Sequence, residues 1–184
     1  DEIYYMMGYH FDLSVDEAGN PYLTGIVALA NEEGWYPYET QMATWNLYSE
    51  DGGESWQADA LYDNIWFQGQ VGNISVYNRP YISTSQNGQC LFFSWLDTDL
   101  DVANENNRPN LYFIAYSTDY DGYSEVWNVS YFTQAWNQAF FGSQANSFFV
   151  NIYGGEIYEC EIPFFFVEFT VPGDELSPIN YWYI

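Results

Sequence analysis

The stretch SEDGGESW, residues Ser49 to Trp56, decides the fold. An aspartate in a tight turn accepts hydrogen bonds from nearby backbone N–H groups and holds the turn closed. The two central glycines supply backbone angles that other residues reach only with strain, and a tryptophan packs back across a hairpin as a large apolar plug. The sequence therefore predicts a locked hairpin turn with a largely buried Trp56, and a structural rather than catalytic role for the residues that carry the pattern: Ser49, Asp51, Gly53, Ser55 and Trp56.

Turn signals of the same kind recur between apolar runs along the chain. Asp-Gly, Asn-Gly and Gly-Gly pairs between such runs are strong hairpin signals. The runs CLFFSW and IPFFFVEF are apolar at both alternating sets of positions, as expected for strands inside stacked sheets. No long amphipathic helix is expected. The predicted turns lie at Asp16 to Asn20, Asp51 to Gly53, Gln86 to Gly88, Asp119 to Gly122 and Gly154 to Gly155.

The predicted hairpins group into larger units. Residues 11–62 and 79–132 each supply four strands, and residues 146–184 supply three. Four-stranded units that repeat every roughly 50–70 residues are typical of propeller blades. We therefore predict an all-β chain in which residues 1–184 form one partial β-propeller segment of antiparallel four-stranded blades. Because closed propellers have about 4–8 blades, the remaining blades are expected from a longer chain or from a partner chain.

The composition restricts the partners. Among 184 residues, 26 are acidic and only two are basic, which gives a net charge of -24. Such a charge repels nucleic acid and favours cations. The sequence has no stretch of 18 apolar residues, so no membrane insertion is expected. Two interpretations of the lysine-free composition stay open: the acidity is real, or the chain consists of pieces of a longer protein.

A family resemblance follows from the motif. The pattern Ser-x-Asp-x-Gly-x-Ser-Trp at 49–56 resembles the Asp-box, or BNR, repeats of sialidase-like β-propellers. The segments VDEAGNPYL, NRPYISTSQNGQCLFFSWLDTD, YECEIPFFFVEF and INYWYI resemble parts of large secreted propeller proteins of Bacteroidetes, many of which carry a sorting domain for type IX secretion. This resemblance implies a location outside the cell, secreted or on the bacterial surface. A degenerate Asp-box copy with stretched spacing lies in STDYDGYSEVW, with Ser117, Asp119, Gly122 and Trp127.

The resemblance raises an enzymatic alternative. Sialidases clamp the substrate carboxylate with three arginines, since bidentate guanidinium pairing orients a carboxylate. This chain has only Arg79 and Arg108, each in Asn-Arg-Pro, a pattern that we interpret as the start of a strand. We therefore predict a non-catalytic extracellular scaffold for binding or adhesion, with a glycan or protein ligand. The alternatives are a glycoside hydrolase, sialidase-like or otherwise, with catalytic residues partly outside this chain, and a structural subunit of a cell-surface assembly.

Two stretches are candidate ligand sites. Trp35, Tyr36 and Tyr38 lie in a predicted loop where aromatic rings can stack on sugars; packing in the core or between blades is the alternative. The series Asp97-x-Asp99-x-Asp101 can hold Ca²⁺ through oxygen ligands, although it lacks the glycine of an EF-hand loop, and a solvated loop is the alternative.

The cysteines and the histidine give weaker signals. Cys90 and Cys160 lack the spacing of metal ligands. They are interpreted as buried thiols, with a disulfide as the alternative in an extracellular protein. The single histidine, His10, is interpreted as a surface or packing residue.

Overall fold

The fold is seen in a computed structural model. It describes a little over half of the chain, namely residues 2–35, 42–66, 78, 80–85, 87–98, 109–128, 145–149, 164–169 and 179–183. These residues form strands and turns arranged in three antiparallel sheets. The prediction of an antiparallel all-β chain is confirmed for this part of the protein. The described residues include no helix, and so none that is long and apolar enough to cross a membrane.

The first sheet is a meander with a short side strand. Its strands are β1 (Tyr4–Val15), β2 (Pro21–Asn31), β3 (Gly34–Trp35), β4 (Met42–Tyr48) and β5 (Gln57–Ile65). The spatial order is β1-β2-β4-β5, and β3 pairs with the end of β2. The pairing of β1 with β2 shifts register between Met7 and Phe11. This bulge is the physical reason why the alternation of apolar and polar residues slips within YYMMGYHFDL, and β1 begins seven residues before the predicted start of the first unit.

The second sheet repeats this order. Its strands are β6 (Tyr81–Thr84), β7 (Cys90–Thr98), β8 (Pro109–Ser117), β9 (Gly122–Tyr123) and β10 (Trp127–Asn128). The spatial order β6-β7-β8-β10 follows the chain, and β9 pairs with β8. Both Asn-Arg-Pro motifs stand where a strand begins, since β6 follows Pro80 and β8 starts at Pro109. The interpretation of these motifs as strand starts is confirmed, although Arg79 and Arg108 themselves lie outside the described residues.

A third sheet completes the described structure. Its strands β11 (Ala145–Phe149), β12 (Phe164–Phe169) and β13 (Ile179–Tyr183) pair in chain order. Strand β11 runs close to β6, β7 and β8. The third sheet therefore lies beside the second.

The first two sheets pack face to face, and their first strands, β1 and β6, lie side by side. Three contacts join β1 to β6, and the residue numbers rise together along both strands. The rings of His10 and Tyr81 lie 5.7 Å apart, and the Asp12 carboxylate accepts the Ile82 N–H at 3.1 Å. The Ser14 hydroxyl donates to the Thr84 hydroxyl at 3.5 Å. The first strands of the two sheets therefore run parallel. The chain must return from one edge to the other between β5 and β6, which is how a repeat of like-ordered units is built.

The core lies between these two sheets. Fully buried side chains from both sheets meet there, among them Ile26, Met42, Phe93 and Trp95. We call the side of the first sheet that faces the second its inner face, and the opposite side its outer face. His10 lies on the inner face, half-buried against Tyr81, which agrees with its interpretation as a packing residue.

Candidate functional site

The two ends of the stacked sheets differ, and this difference organises the candidate sites. At the end that we call the hairpin end, the strands are joined by short turns, which span residues 16–20, 49–56, 85–89 and 118–121. At the other end, which we call the loop end, the connections are residues 32–41, 66–80 and 99–108. Loops carried on a rigid scaffold are where binding residues concentrate.

The Ser49–Trp56 turn is closed by side-chain hydrogen bonds. The buried Ser49 hydroxyl donates to Asp51 Oδ1, 2.7 Å, and accepts from the Gly53 N–H, 2.7 Å. The Asp51 carboxylate also accepts from the Ser55 N–H, 2.9 Å, and hydroxyl, 2.6 Å. The hydroxyl and N–H of Ser55, with the hydroxyl of Ser49, hold the pKa of Asp51 well below its usual range. Asp51 is thus a fixed anion that organises the turn, unsuited to donate a proton at neutral pH.

The prediction that Trp56 is largely buried is wrong. Its side chain is 48% exposed rather than largely buried. The indole Nε1 donates to the Gly53 carbonyl at 3.2 Å. Because the turn projects beyond the end of the sheet, the indole covers the turn itself and leaves one side in solvent.

The degenerate copy forms a turn with different hydrogen bonds. The buried Oγ atom of Ser117 has no hydrogen-bond partner in the described part of the chain, whereas the Ser49 hydroxyl has several. Asp119 is exposed, and the left-handed backbone angle falls on Asp121, φ +47°, rather than on Gly122.

Strand register identifies the true counterpart of Ser49. The Ser49 N–H donates to the Pro21 carbonyl, and the Thr118 N–H donates to the Gln89 carbonyl in the same place on the second sheet. The residue equivalent to Ser49 is therefore Thr118, one position after Ser117. The last residue of the predicted copy, Trp127, lies half-exposed in β10.

A cluster of tyrosines and carboxylates joins the two sheets at the hairpin end, and sequence analysis missed it. Tyr123 donates to Asp59 Oδ2 at 3.0 Å and accepts from Asn46 Nδ2 at 2.8 Å. Tyr116 donates to Asp121 at 2.8 Å, and its ring lies 4.8 Å from that of Tyr123. The Tyr123–Asp59 pair is separated by 64 positions along the chain, so no local pattern reveals it.

These phenols act as donors. Burial raises the pKa of Tyr123, and the Asp59 charge raises it further. Burial likewise raises the pKa of Tyr116, together with its bond to Asp121. Both phenols stay protonated well above neutral pH, which suits a hydrogen bond to a carboxylate and not a nucleophile. The cluster therefore fastens sheet to sheet.

At the loop end, the structure describes one of the three candidate stacking residues. Trp35 is half-buried against the core and makes an edge-to-face contact with Tyr9, with ring centroids 6.4 Å apart. Tyr9 is 80% exposed and was missed in the sequence, although it lies within the β1 bulge where the alternation of apolar and polar residues slips. Tyr36 and Tyr38 lie outside the described residues.

The candidate calcium ligands are also only partly described. Asp97 is fully buried, and its Oδ1 accepts the backbone N–H of Trp66 at 2.7 Å. This bond fastens the end of the first sheet to β7. Asp99 and Asp101 lie outside the described residues. Within the described ranges, no three His, Cys, Asp or Glu side chains come together in a way that could hold a metal ion.

Of the two cysteines, the structure describes only Cys90. Cys90 is buried at the start of β7, and Cys160 lies outside the described residues.

Comparisons with known proteins leave the family open. No family model matches the chain, and a search of curated proteins finds no relative.

Proposed function

We propose that this chain is part of an extracellular β-propeller scaffold that binds a glycan or protein ligand at its loop end without catalysing a reaction. The observation that carries the proposal is the contrast between the two ends. The hairpin end is closed by turns whose polar groups bond within the protein. Near the loop end, Trp35 contacts an exposed Tyr9 from the middle of β1, and Trp66 is half-exposed.

The repeat of strand order supports the propeller part of the proposal. Two meanders of four strands, each with a short side strand, stack with β1 alongside β6, and a third sheet follows. Radial repetition of such units is the plan of a propeller. The Ser49–Trp56 turn, with its resemblance to Asp-box repeats, fits the same plan and a location outside a bacterial cell.

The aromatic pair supports the ligand class. Tyr and Trp combine an apolar ring with a polar group that bonds to a partner, and so suit surfaces where one side is apolar and the other wet. Tyr9, which is 80% exposed, meets this description, and the half-buried Trp35 supports its ring by an edge-to-face contact. A neutral sugar face also avoids the repulsion that a net charge of -24 exerts on anionic ligands.

Titration calorimetry against a panel of neutral and acidic glycans tests the proposal. We expect binding to at least one glycan, and a loss of about tenfold or more in affinity for Tyr9→Ala. The matched control is Tyr120→Ala, an exposed tyrosine of the hairpin end, which should bind normally. Equal effects of the two substitutions would refute the loop-end site. Turnover of a fluorogenic glycoside would favour the glycosidase alternative over the proposal. Failure to bind any glycan would rule out a glycan ligand and leave a protein ligand. Binding to proteins of a cell-surface extract, measured with the same two substitutions, checks that case.

A further inference from the structure

The turn between β6 and β7 carries the only Asn-Gly pair of the sequence, Asn87-Gly88. Asparagine followed by glycine is the pair most prone to deamidation, because glycine has no side chain to hinder the attack of its backbone nitrogen on the asparagine side chain. Asparagine is a thermolabile residue for this reason. Asn87 is exposed, whereas Gly88 is buried. A reactive sequence therefore lies in contact with water.

The reaction has a defined course. The Gly88 nitrogen attacks Cγ of Asn87, so that a new C–N bond forms and the Cγ–Nδ2 bond breaks. Ammonia leaves with the proton of the Gly88 N–H, and a succinimide ring remains. Water, the only co-reactant, then opens the ring at either carbonyl and gives aspartate or isoaspartate. In isoaspartate the main chain runs through the former side chain and is one CH₂ longer.

In the folded protein, both reacting groups are held in other hydrogen bonds. The Gly88 N–H donates to the Ser85 carbonyl at 2.9 Å. Asn87 Oδ1 accepts from the Ser85 hydroxyl at 2.7 Å and from the Gln89 N–H at 3.2 Å, and Asn87 Nδ2 donates to the Gln89 side chain. Ring closure requires the Asn87 side chain to turn onto the Gly88 nitrogen. These bonds must therefore break first.

The first sheet holds the same turn from the other side. The Gly88 carbonyl accepts the Glu17 N–H at 3.2 Å. The backbone of Glu17 lies so close to Gly88 that one added carbon would clash with it. The turn between β6 and β7 therefore cannot change its shape unless it separates from the turn between β1 and β2.

We propose that Asn87 is a deamidation site that the packing of the first two sheets keeps unreactive, and that reacts once this contact opens. The reaction then acts in one direction. Isoaspartate lengthens the main chain next to Gly88, where the structure leaves no space. Either product also adds a negative charge to a chain of net charge -24. A molecule that has opened and reacted loses the fit between the two turns. The site does not depend on the proposed ligand.

Peptide mapping by mass spectrometry tests the inference on the purified chain. The protein is kept at mildly alkaline pH, either native or unfolded in urea, and is digested with chymotrypsin at intervals. In urea, Asn87 should convert largely to isoaspartate, while Asn31 and Asn128, which precede glutamate and valine, stay intact. In the native protein the conversion should be at least about tenfold slower, because it requires local opening of the turn.

Variants show whether the contacts around Asn87 control the rate. Ser85→Ala removes the hydroxyl that donates to Asn87 and should speed the native reaction about fivefold or more, the factor for one hydrogen bond of about 1 kcal/mol. Gln89→Ala, which removes the acceptor of Asn87 Nδ2, serves as a second variant. The matched control is Ser124→Ala, which removes an exposed hydroxyl bonded to the Ala115 N–H of the same sheet, and it should leave the rate unchanged.

A refolding step tests the consequence for the fold. Protein that has formed isoaspartate in urea, once returned to buffer, should melt below Asn87→Asp, which carries the same charge on a main chain of normal length.

Each result decides the inference. Equal conversion of Asn87 in the native and the unfolded protein, or no conversion in urea, would overturn it. Native rates that Ser85→Ala and Gln89→Ala raise no more than Ser124→Ala would show that the turn contacts do not hold the site unreactive. An isoaspartyl protein that melts with Asn87→Asp would overturn the loss of fit between the two turns.

Discussion

Replacement of Gly88 by alanine tests the packing of the two sheets at its tightest point. Gly88 is buried in the turn between β6 and β7, and its carbonyl accepts the Glu17 N–H from the turn between β1 and β2 at 3.2 Å. A Cβ at this position would lie 2.6 Å from the Glu17 Cα and 2.9 Å from the Asp16 carbonyl carbon. Backbone atoms cannot rotate away, so the two turns would have to separate.

The magnitude follows from a matched glycine. Gly52 has nearly the same backbone angle, φ +74° against +72° for Gly88, but a Cβ there meets no atom within 4 Å. The left-handed backbone alone costs an alanine about 1–2 kcal/mol, so this is the full cost expected for Gly52→Ala. Gly88→Ala adds overpacking of about 1–3 kcal/mol and the loss of a hydrogen bond worth about 1 kcal/mol. A total of about 3–6 kcal/mol is expected for Gly88→Ala.

Thermal unfolding followed by near-ultraviolet circular dichroism measures this difference. For a protein of this size 1 kcal/mol shifts the melting temperature by roughly 2–4 °C, so Gly52→Ala should lower Tm by roughly 2–8 °C and Gly88→Ala by roughly 6–24 °C. Equal shifts for the two variants would refute the contact between the two turns, and with it the side-by-side arrangement of β1 and β6.

Two further predictions concern the hairpin end. Tyr123→Phe removes a donor to a carboxylate and leaves the buried Asn46 amide without its acceptor, so it should lower the free energy of unfolding in urea by about 2–4 kcal/mol. The control is Tyr4→Phe, which also removes one hydrogen bond, but at an exposed position, and should cost under about 1 kcal/mol. Similar costs for the two variants would argue that the Tyr123 bonds do not fasten the two sheets together. Folding lowers the pKa of Asp51 from 3.8, so the stability that the Asp51 carboxylate contributes is complete above pH 3.8 and is lost as the pH falls below that value. The Tm difference between wild type and Asp51→Asn should therefore shrink between pH 5 and pH 2. A constant difference would show that the bonds from Ser55 do not depend on the charge of Asp51.

Local chemistry was enough to predict the strands and most of their turns. Asp16 to Asn20 and Asp51 to Gly53 each combine an aspartate that bonds to nearby backbone with glycine or asparagine, and both form turns where predicted, as does Asp119 to Gly122. These outcomes depend on residues fewer than ten positions apart, whose conformational preferences are already present in the isolated segment. The hydrogen bonds of the Ser49–Trp56 turn belong to the same class.

Tertiary structure alone decided which segments meet. The Tyr123 bonds to Asn46 and Asp59 join residues 77 and 64 positions apart, and only the stacking of the sheets brings them together. The burial of Asp97 and the exposure of Trp56 likewise depend on where the edge of the core falls, which alternation along one strand does not encode. The exposure of Phe11 and Leu13 on the outer face of the first sheet belongs to this class too, because whether an apolar face is covered depends on what packs against it.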